Sequence, residues 1–308
     1  MADMKRAAVI GTGTMGPGMG AVLARAGIDT TLYDVSAEAL ERAQGGVALA
    51  EGVLDRLEAP KADGGGVRFE DDLAAALDEA DIVLEAVPEK LELKQELYPE
   101  LERHVSEGAI LASNTSGIPI TKIASVCGRP ERVVGMHWSN PPHLIPMIEV
   151  IPGEQTEQRV VDAACELIRS FGYHPVVEKE VPGFVENRIL YAILRECLDL
   201  VDRGIISPEG LDLNVRWGIG YKLAVIGPME LLDMAGLDIY NAVGSYLNQD
   251  LSTSGEVSKT IRDLIDQERL GMKTGGGIYD YTPEEIDRLR GRRAAKLVAV
   301  RKALEGEA

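Results

Sequence analysis

The stretch Ala7-Ala8-Val9-Ile10-Gly11-Thr12-Gly13-Thr14-Met15-Gly16, with Leu32-Tyr33-Asp34 following it, restricts the fold more than any other feature of the chain. Ala7 to Ile10 read as a short buried strand. Gly11 permits a tight turn, Gly13 lets backbone approach a pyrophosphate, and Gly16 lets a helix pack closely on the strand. Met15, Met19, Val22, Leu23 and Ala26 recur at helical spacing, Pro17 suits a first turn, and Gly27 ends the run. Such a helix points its N-terminal N–H groups at phosphate. Asp34 closes the second strand, where a carboxylate accepts from both ribose hydroxyls and repels a 2′-phosphate. The expected cofactor is NAD rather than NADP, with Gly11, Gly13, Thr14, Met15, Gly16 and Asp34 among its contacts.

At 308 residues the chain is long for one hydrophobic core, and two domains are expected. A net charge of -18 repels nucleic acid and anionic membrane at long range, so neither is an expected partner. Cys127, Cys165 and Cys197 are far apart and odd in number, which indicates neither a disulfide framework nor a metal site. Cys197, on an apolar helical face, reads as a buried thiol. Lys5 and Arg6 precede only a short apolar run before Gly11, too little for a signal peptide, and no stretch reaches membrane-spanning length. A cytoplasmic location is expected.

Strand and helix patterns alternate through the first half. Ala37 to Leu57 reads as a helix and Gly64-Gly65-Gly66 as a loop; Asp81 to Val87 reads as a strand, Leu91 to Val105 as a helix and Ala109 to Ser113 as a strand. Arg132 to Trp138 and Met147 to Ile151 add two more strands, and His174 opens another. This alternation predicts an α/β fold with a Rossmann-type, doubly wound, mostly parallel sheet over residues 1–181. Ligands of such sheets sit at the carboxyl ends of the strands, where the Gly11 turn, Pro88-Glu89, Asn114 to Ser116 and His137 all fall.

From Pro182 the pattern turns helical, and residues 182–308 are expected to form a smaller all-α domain. Leu190, Ile193, Leu194, Cys197, Leu198 and Val201 trace one long amphipathic helix ending near Gly204. Others begin at Ser207-Pro208 and Gly227-Pro228, and a further one covers Glu256 to Leu270. A domain without strands cannot complete the sheet, so it is expected to pack over the cofactor cleft and to join a second subunit in a homodimer. The arginine-rich tail after Pro283 reads as a solvated helix.

Among the four histidines, His104 and His174 read as structural. His137 differs, because it ends the apolar run Val133-Val134-Gly135-Met136 and a carboxylate, Glu149, sits on the next strand. That arrangement tunes an imidazole to accept a proton near neutral pH.

Gly11 to Gly16, Glu85-Ala86-Val87-Pro88-Glu89, Ser113-Asn114-Thr115-Ser116, His137 with Asn140-Pro141, Val181 to Arg188, Gly227 to Asp233 and Gly271-Met272-Lys273-Thr274-Gly275 occur in this order. In order and spacing they resemble the L-3-hydroxyacyl-CoA dehydrogenase family over nearly the whole chain. The resemblance implies an NAD-dependent dehydrogenase, of the kind used in fatty-acid metabolism, that oxidises a 3-hydroxyacyl or small 3-hydroxy carboxylate substrate. It makes His137 the base for the substrate hydroxyl and Glu149 the group that orients and supports the imidazolium. Ser116 and Asn187 would hold the substrate oxygen, with Asn187 supplied by the helical domain. Glu89, Lys94, Ser116, Asn140 and Lys273 match cofactor-lining positions, and Val87 and Asn114 at neighbouring strand tips complete that set. On the residues alone, Ser116 and Asn114 could instead cap the next helix, and Asn187 could be plain surface polarity.

The helix after the second strand carries Glu38, Glu41, Glu51 and Asp55, where acyl-CoA-binding members of the family present lysines. His137-Trp138-Ser139-Asn140-Pro141-Pro142-His143 and Trp217 to Lys222 are more similar to the family's small-substrate branch, which oxidises L-gulonate or a pyridine-carboxylate aldehyde. There His137 would deprotonate an aldehyde hydrate, and Arg188, His143 or Lys222 would meet a substrate carboxylate. A non-catalytic NAD-binding protein kept for structure is the remaining reading.

Overall fold

Runs of buried aliphatic residues make the strands of one sheet. β1 (Arg6–Ile10), β2 (Asp29–Tyr33), β3 (Val67–Glu70), β4 (Ile82–Glu85), β5 (Ile110–Ser113), β6 (Val133–Trp138), β7 (Met147–Pro152) and β8 (His174–Val177) lie in the order β3-β2-β1-β4-β5-β6-β7-β8. β6 and β7 pair antiparallel; the other neighbours are parallel. The computed structural model describes residues 4–306 of the chain.

Helices α1 (Gly16–Arg25), α2 (Ala37–Arg56), α3 (Leu73–Leu77), α4 (Leu91–His104), α5 (Ile120–Ala124) and α6 (Gln158–Ser170) connect the strands. Ser36 and Asp72 start α2 and α3 by accepting from the backbone N–H groups of Ala39 and Ala75. Sheet residues Ala8, Ile10, Val83, Leu111, Val133 and Ile151 pack against Tyr98 and Leu101 of α4 and Ile120 and Ile123 of α5, all buried. Burying each of the larger of these side chains contributes about 1.5–3 kcal/mol. The chain steps outward from β1 to β2 and β3, then returns to place β4 on the other side of β1. The reversal opens a crevice at the carboxyl ends of β1 and β4.

The chain divides into two compact units between Arg188 and Ile189. That point lies inside α7 (Phe184–Asp202), later than Val181, because the first turn of α7 is hydrogen-bonded to β7. The second unit is helical: α8 (Pro208–Asn214), a π-helical run over Val215–Gly220, α9 (Tyr221–Leu223), α10 (Pro228–Ala235), α11 (Leu237–Asp250), α12 (Lys259–Asp266) and α13 (Pro283–Glu305). Thr282 and Glu285 close a reciprocal cap at the start of α13. Cys197 is half-buried rather than buried. No helix among the described residues is long and apolar enough to cross a membrane.

The sequence reading passes over β3, α3, α6 and the break between α10 and α11. β3 is a short edge strand with no fully buried position, so its alternation is weak. The break rests on Gly236 alone, at φ +98°, with no polar loop to announce it.

Candidate active site

The Gly11 turn is built from close contacts. Gly11 has φ +103°, and a Cβ there would stand 2.7 Å from the Ala86 carbonyl oxygen at the end of β4. A Cβ on Gly16 would stand 2.2 Å from the Gly11 carbonyl oxygen, so α1 can start here only without a side chain. Around Gly13, by contrast, the space within 4 Å is open. Met15 gives α1 no side-chain cap, and its first turn carries no acid. The N–H groups at that helix end are therefore available to an anion, and the crevice fits the pyrophosphate of a dinucleotide.

Asp34 stands at the tip of β2. Its Oδ2 accepts from the Thr12 N–H (2.9 Å) and hydroxyl (2.8 Å), and its Oδ1 from the Ser36 N–H (3.1 Å). Burial alone would raise its pKa, but these hydrogen bonds and the charge of Arg42 outweigh that and hold it below the ordinary carboxylate value. A fixed anion with lone pairs to spare suits two ribose hydroxyls and opposes a phosphate. Asp34→Ala is expected to raise the NAD dissociation constant by about 10-fold or more and to narrow the preference over NADP, as fluorescence titration with both nucleotides will measure.

Below the crevice lies a buried ion pair. Glu85, fully buried at the end of β4, accepts from Lys94 Nζ (2.6 Å), Ser113 Oγ (2.6 Å) and the Val87 N–H (2.9 Å). Lys94 also reaches Glu89 at 3.4 Å. Its side chain is 1% exposed, so it supports the crevice from beneath, and Glu89 is the exposed end of the network. Removing one partner strands the other as an unpaired buried charge. Lys94→Met is expected to cost about 3–5 kcal/mol, read as a lower urea midpoint.

Glu89 in turn orders the tip of β5. It accepts from Thr115 Oγ1 (2.5 Å) and the Ser116 N–H (2.9 Å), while Thr115 Oγ1 accepts from the N–H groups of Ile118 and Gly117. Neither Ser116 nor Asn114 caps the next helix. Thr115 makes the turn, and Asn114 Oδ1 accepts from the Trp138 N–H at 2.8 Å, tying the tip of β5 to that of β6.

The antiparallel register sets His137 directly opposite Glu149. His137 Nδ1 and Glu149 Oε2 are 2.6 Å apart, both side chains buried. With Nδ1–H donated to the carboxylate, Nε2 is left with its lone pair as a proton acceptor. The other oxygen, Glu149 Oε1, accepts from the Glu186 N–H (2.7 Å) and the Val185 N–H (3.0 Å) at the start of α7. Burial would raise the Glu149 pKa, yet the His137 hydrogen bond, the Glu186 N–H and the imidazole charge outweigh it and hold the group below its ordinary value.

The backbone that aims these N–H groups is unusual. Gly183 has φ +78° and Phe184 φ +52°, a conformation that costs a bulky residue about 1–2 kcal/mol. Complete burial of Phe184, with its ring centroid 5.7 Å from that of His137, holds it there. One turn on, Asn187 Nδ2 donates to the Ser116 carbonyl oxygen at 3.1 Å, and Ser139 Oγ donates to Glu186 at 2.5 Å. His137, Glu149 and Glu186 consequently place ligand-type atoms within 4.8 Å of one another.

His137 pairs with Glu149 and Asn187 with Ser116, all four within the first unit, so Asn187 reaches Ser116 without any contribution from the second. Gly11, Gly13, Thr14, Met15, Gly16, Asp34, Val87, Glu89 and Asn114 lie along the strand ends of the same sheet, and Asn140 is exposed just past β6. Lys273 is exposed in a 3₁₀ turn, Met272–Thr274, of the second unit. His143 is buried, its Nδ1 has no hydrogen-bond partner, and burial, aided by Arg56, pulls its pKa down to about 4. A neutral ring offers a carboxylate a hydrogen bond but no charge. Sequence reading missed the Val185 and Glu186 N–H groups, Ser139 and Glu178; no residue pattern marks a backbone donor.

Residues 6–181 match the model of the 3-hydroxyacyl-CoA dehydrogenase NAD-binding domain, and residues 183–281 that of the 3-hydroxyacyl-CoA dehydrogenase C-terminal domain. A 5-formyl-3-hydroxy-2-methylpyridine 4-carboxylate 5-dehydrogenase of Mesorhizobium japonicum is 54% identical over 306 residues, 98% of this chain and 99% of that protein. A probable 3-hydroxybutyryl-CoA dehydrogenase of Deinococcus radiodurans is 36% identical over 278 residues, 89% of this chain and 99% of that protein. A crystal structure of the former kind of enzyme, described as an NAD+-dependent dismutase, superposes with TM-score 0.96 at 53% identity, covering 98% of this chain and 99% of its own. That of an (S)-3-hydroxybutyryl-CoA dehydrogenase from Ralstonia eutropha gives 0.73 at 31%, covering 91% and 100%. Fold and crevice thus define an NAD-dependent dehydrogenase. The chain belongs to the 3-hydroxyacyl-CoA dehydrogenase family.

Proposed function

We propose that the protein oxidises a small carboxylate-bearing substrate with NAD, and that His137 is the base. The observation that carries this is the 2.6 Å contact between His137 Nδ1 and Glu149, which leaves Nε2 as an acceptor next to the strand ends. Bound NAD supplies the hydride acceptor. His137 Nε2 takes the hydroxyl proton as the carbinol C–H bond breaks, and Glu149 stabilises the imidazolium. Ser116 and Asn187, already joined, hold the substrate oxygen.

For the substrate, the pyridine-carboxylate aldehyde of the 54% identical relative is the leading candidate. As its hydrate, an aldehyde presents the same H–C–O–H unit as a secondary alcohol. It loses one hydride and one proton to become the acid, which then ionises. Glu38, Glu41, Glu51 and Asp55 on α2 disfavour the polyanionic handle of coenzyme A. Exposed Arg188, one residue beyond Asn187, is the cation we assign to the substrate carboxylate. The relatives at 32–36% identity support 3-hydroxyacyl-CoA as a second reading. The test is a panel following nicotinamide absorbance with 5-formyl-3-hydroxy-2-methylpyridine-4-carboxylate, L-gulonate, 3-hydroxybutyrate and acetoacetyl-CoA. Turnover with the thioester alone would overturn the leading reading.

A homodimer through the second unit belongs to the same proposal. Helices α8 to α13 bury no apolar side chain, and Trp217, Tyr221, Met229, Met234, Leu237 and Tyr246 are each more than 60% exposed. Apolar surface of that extent calls for a partner. Light scattering at micromolar concentration is expected to give twice the 33.2 kDa chain mass; a monomer contradicts it. A cytoplasmic location belongs to the same proposal, and the net charge of -18 supports the absence of a nucleic-acid partner.

A further inference from the structure

The strand register sets a third ionisable residue beside the base pair. β7 and β8 run parallel with Glu149 opposite Val176, and the Glu178 N–H continues the ladder by donating to the Val150 carbonyl oxygen at 3.1 Å. Side chains two apart on a strand share a face. Glu178 therefore projects on the same side as Glu149, which projects on the same side as His137. The three form a row across β6, β7 and the end of β8.

The row closes on one donor. The Val185 N–H is 3.0 Å from Glu149 Oε1 and also 3.0 Å from Glu178 Oε1, so both carboxyls converge on it. Glu178 Oε2 is buried and has no hydrogen-bond partner. Glu149 has the imidazole and the Glu186 N–H besides; Glu178 has the shared donor and the Glu149 carboxyl itself, a contact that needs a proton on one of the two. Two carboxylates so placed cannot both ionise cheaply, and the less supported one keeps its proton.

We propose that Glu178 is a positioning residue of the His137–Glu149 pair, whose proton sets how much negative charge the imidazole faces. Burial, and then the Glu149 charge, push its pKa up to about 7, so the proton leaves within the physiological range. The groups facing it are Glu149 on β7, His137 on β6, and the Val185 N–H with Glu186 on α7; Lys179 and Glu180 flank it in the chain, and Glu180 accepts from the Thr121 N–H. With Glu178 protonated, the imidazole faces one carboxylate. Once that proton passes to solvent it faces two, and it binds its own proton more tightly.

The inference rests on reading His137 and Glu149 as the base pair, and its test does not depend on turnover. The full chain, saturated with NAD and carrying ¹³C at glutamate carboxyl and histidine ring carbons, is titrated by NMR from about pH 5 to about pH 9. One carboxyl is expected to titrate near neutrality and to vanish from the spectrum in Glu178→Gln, which keeps an acceptor for Val185. The His137 resonance, assigned by its loss in His137→Gln, is expected to move its midpoint down by about 0.5–1 pH unit in Glu178→Gln. An unmoved His137 midpoint, or a wild-type spectrum with no carboxyl titrating above about pH 6, overturns the proposal. If Glu178→Gln does not fold, the wild-type carboxyl titration decides alone. Loss of the base-pair reading would show instead as full turnover in His137→Ala.

Discussion

Replacing His137 with alanine is expected to leave NAD bound and to lower kcat by about 10²–10⁴-fold, the usual contribution of a positioned general base. The imidazole is buried, and its partners are Glu149 and Phe184, neither of them part of the Gly11 turn. Cofactor affinity and catalysis should therefore separate. Titration of NADH fluorescence with steady-state kinetics on the same preparation measures both. Glu149→Gln should fall the same way by a smaller factor, since an amide still meets Nδ1–H but offers no charge to the imidazolium. Turnover within about twofold of wild type in His137→Ala would remove the base from the mechanism.

The second large effect belongs to the crevice floor. In Gly16→Ala the new methyl would stand 2.2 Å from the Gly11 carbonyl oxygen, which is backbone and cannot rotate away. Either α1 retreats from β1 or the Gly11 turn opens, and both move the N–H groups that face the phosphates. Overpacking of this kind costs about 1–3 kcal/mol in stability, and a displaced anion site should weaken NAD by about 10²-fold or more. Gly13→Ala is the control, because nothing lies within 4 Å of the position of its Cβ. Its loss should appear in NAD affinity with the thermal midpoint unchanged. Isothermal titration and thermal melts of the two variants side by side distinguish the cases; wild-type affinity in Gly16→Ala would contradict the account of the turn.

The elements that sequence made legible are those whose determinants are local. The Gly11 turn, Pro17 in the first turn of α1 and Asp34 at the tip of β2 act within one strand-helix-strand unit, so their spacing reveals them. His137 and Glu149 were legible as a strand tip with an acid on the next strand. Only the antiparallel register of β6 and β7 turns that proximity into a direct pair. Glu178 was not legible, because its meaning depends on β8 lying parallel to β7 and on sharing the Val185 N–H with Glu149, a residue on another strand. The Thr115 turn does not stand out from its neighbours Asn114 and Ser116, since all three residue types favour turn and cap positions. α6 was legible and overlooked: Val160, Val161, Ala164, Cys165, Leu167 and Ile168 make a buried helical stripe.

A crystal structure with NAD and the substrate chosen by the panel tests the central claim most directly. The account predicts Nε2 of His137 against the substrate oxygen beside the nicotinamide, with Nδ1 still on Glu149 and Ser116 and Asn187 around that oxygen. A ring turned away from the nicotinamide, or parted from Glu149 in the complex, would contradict it.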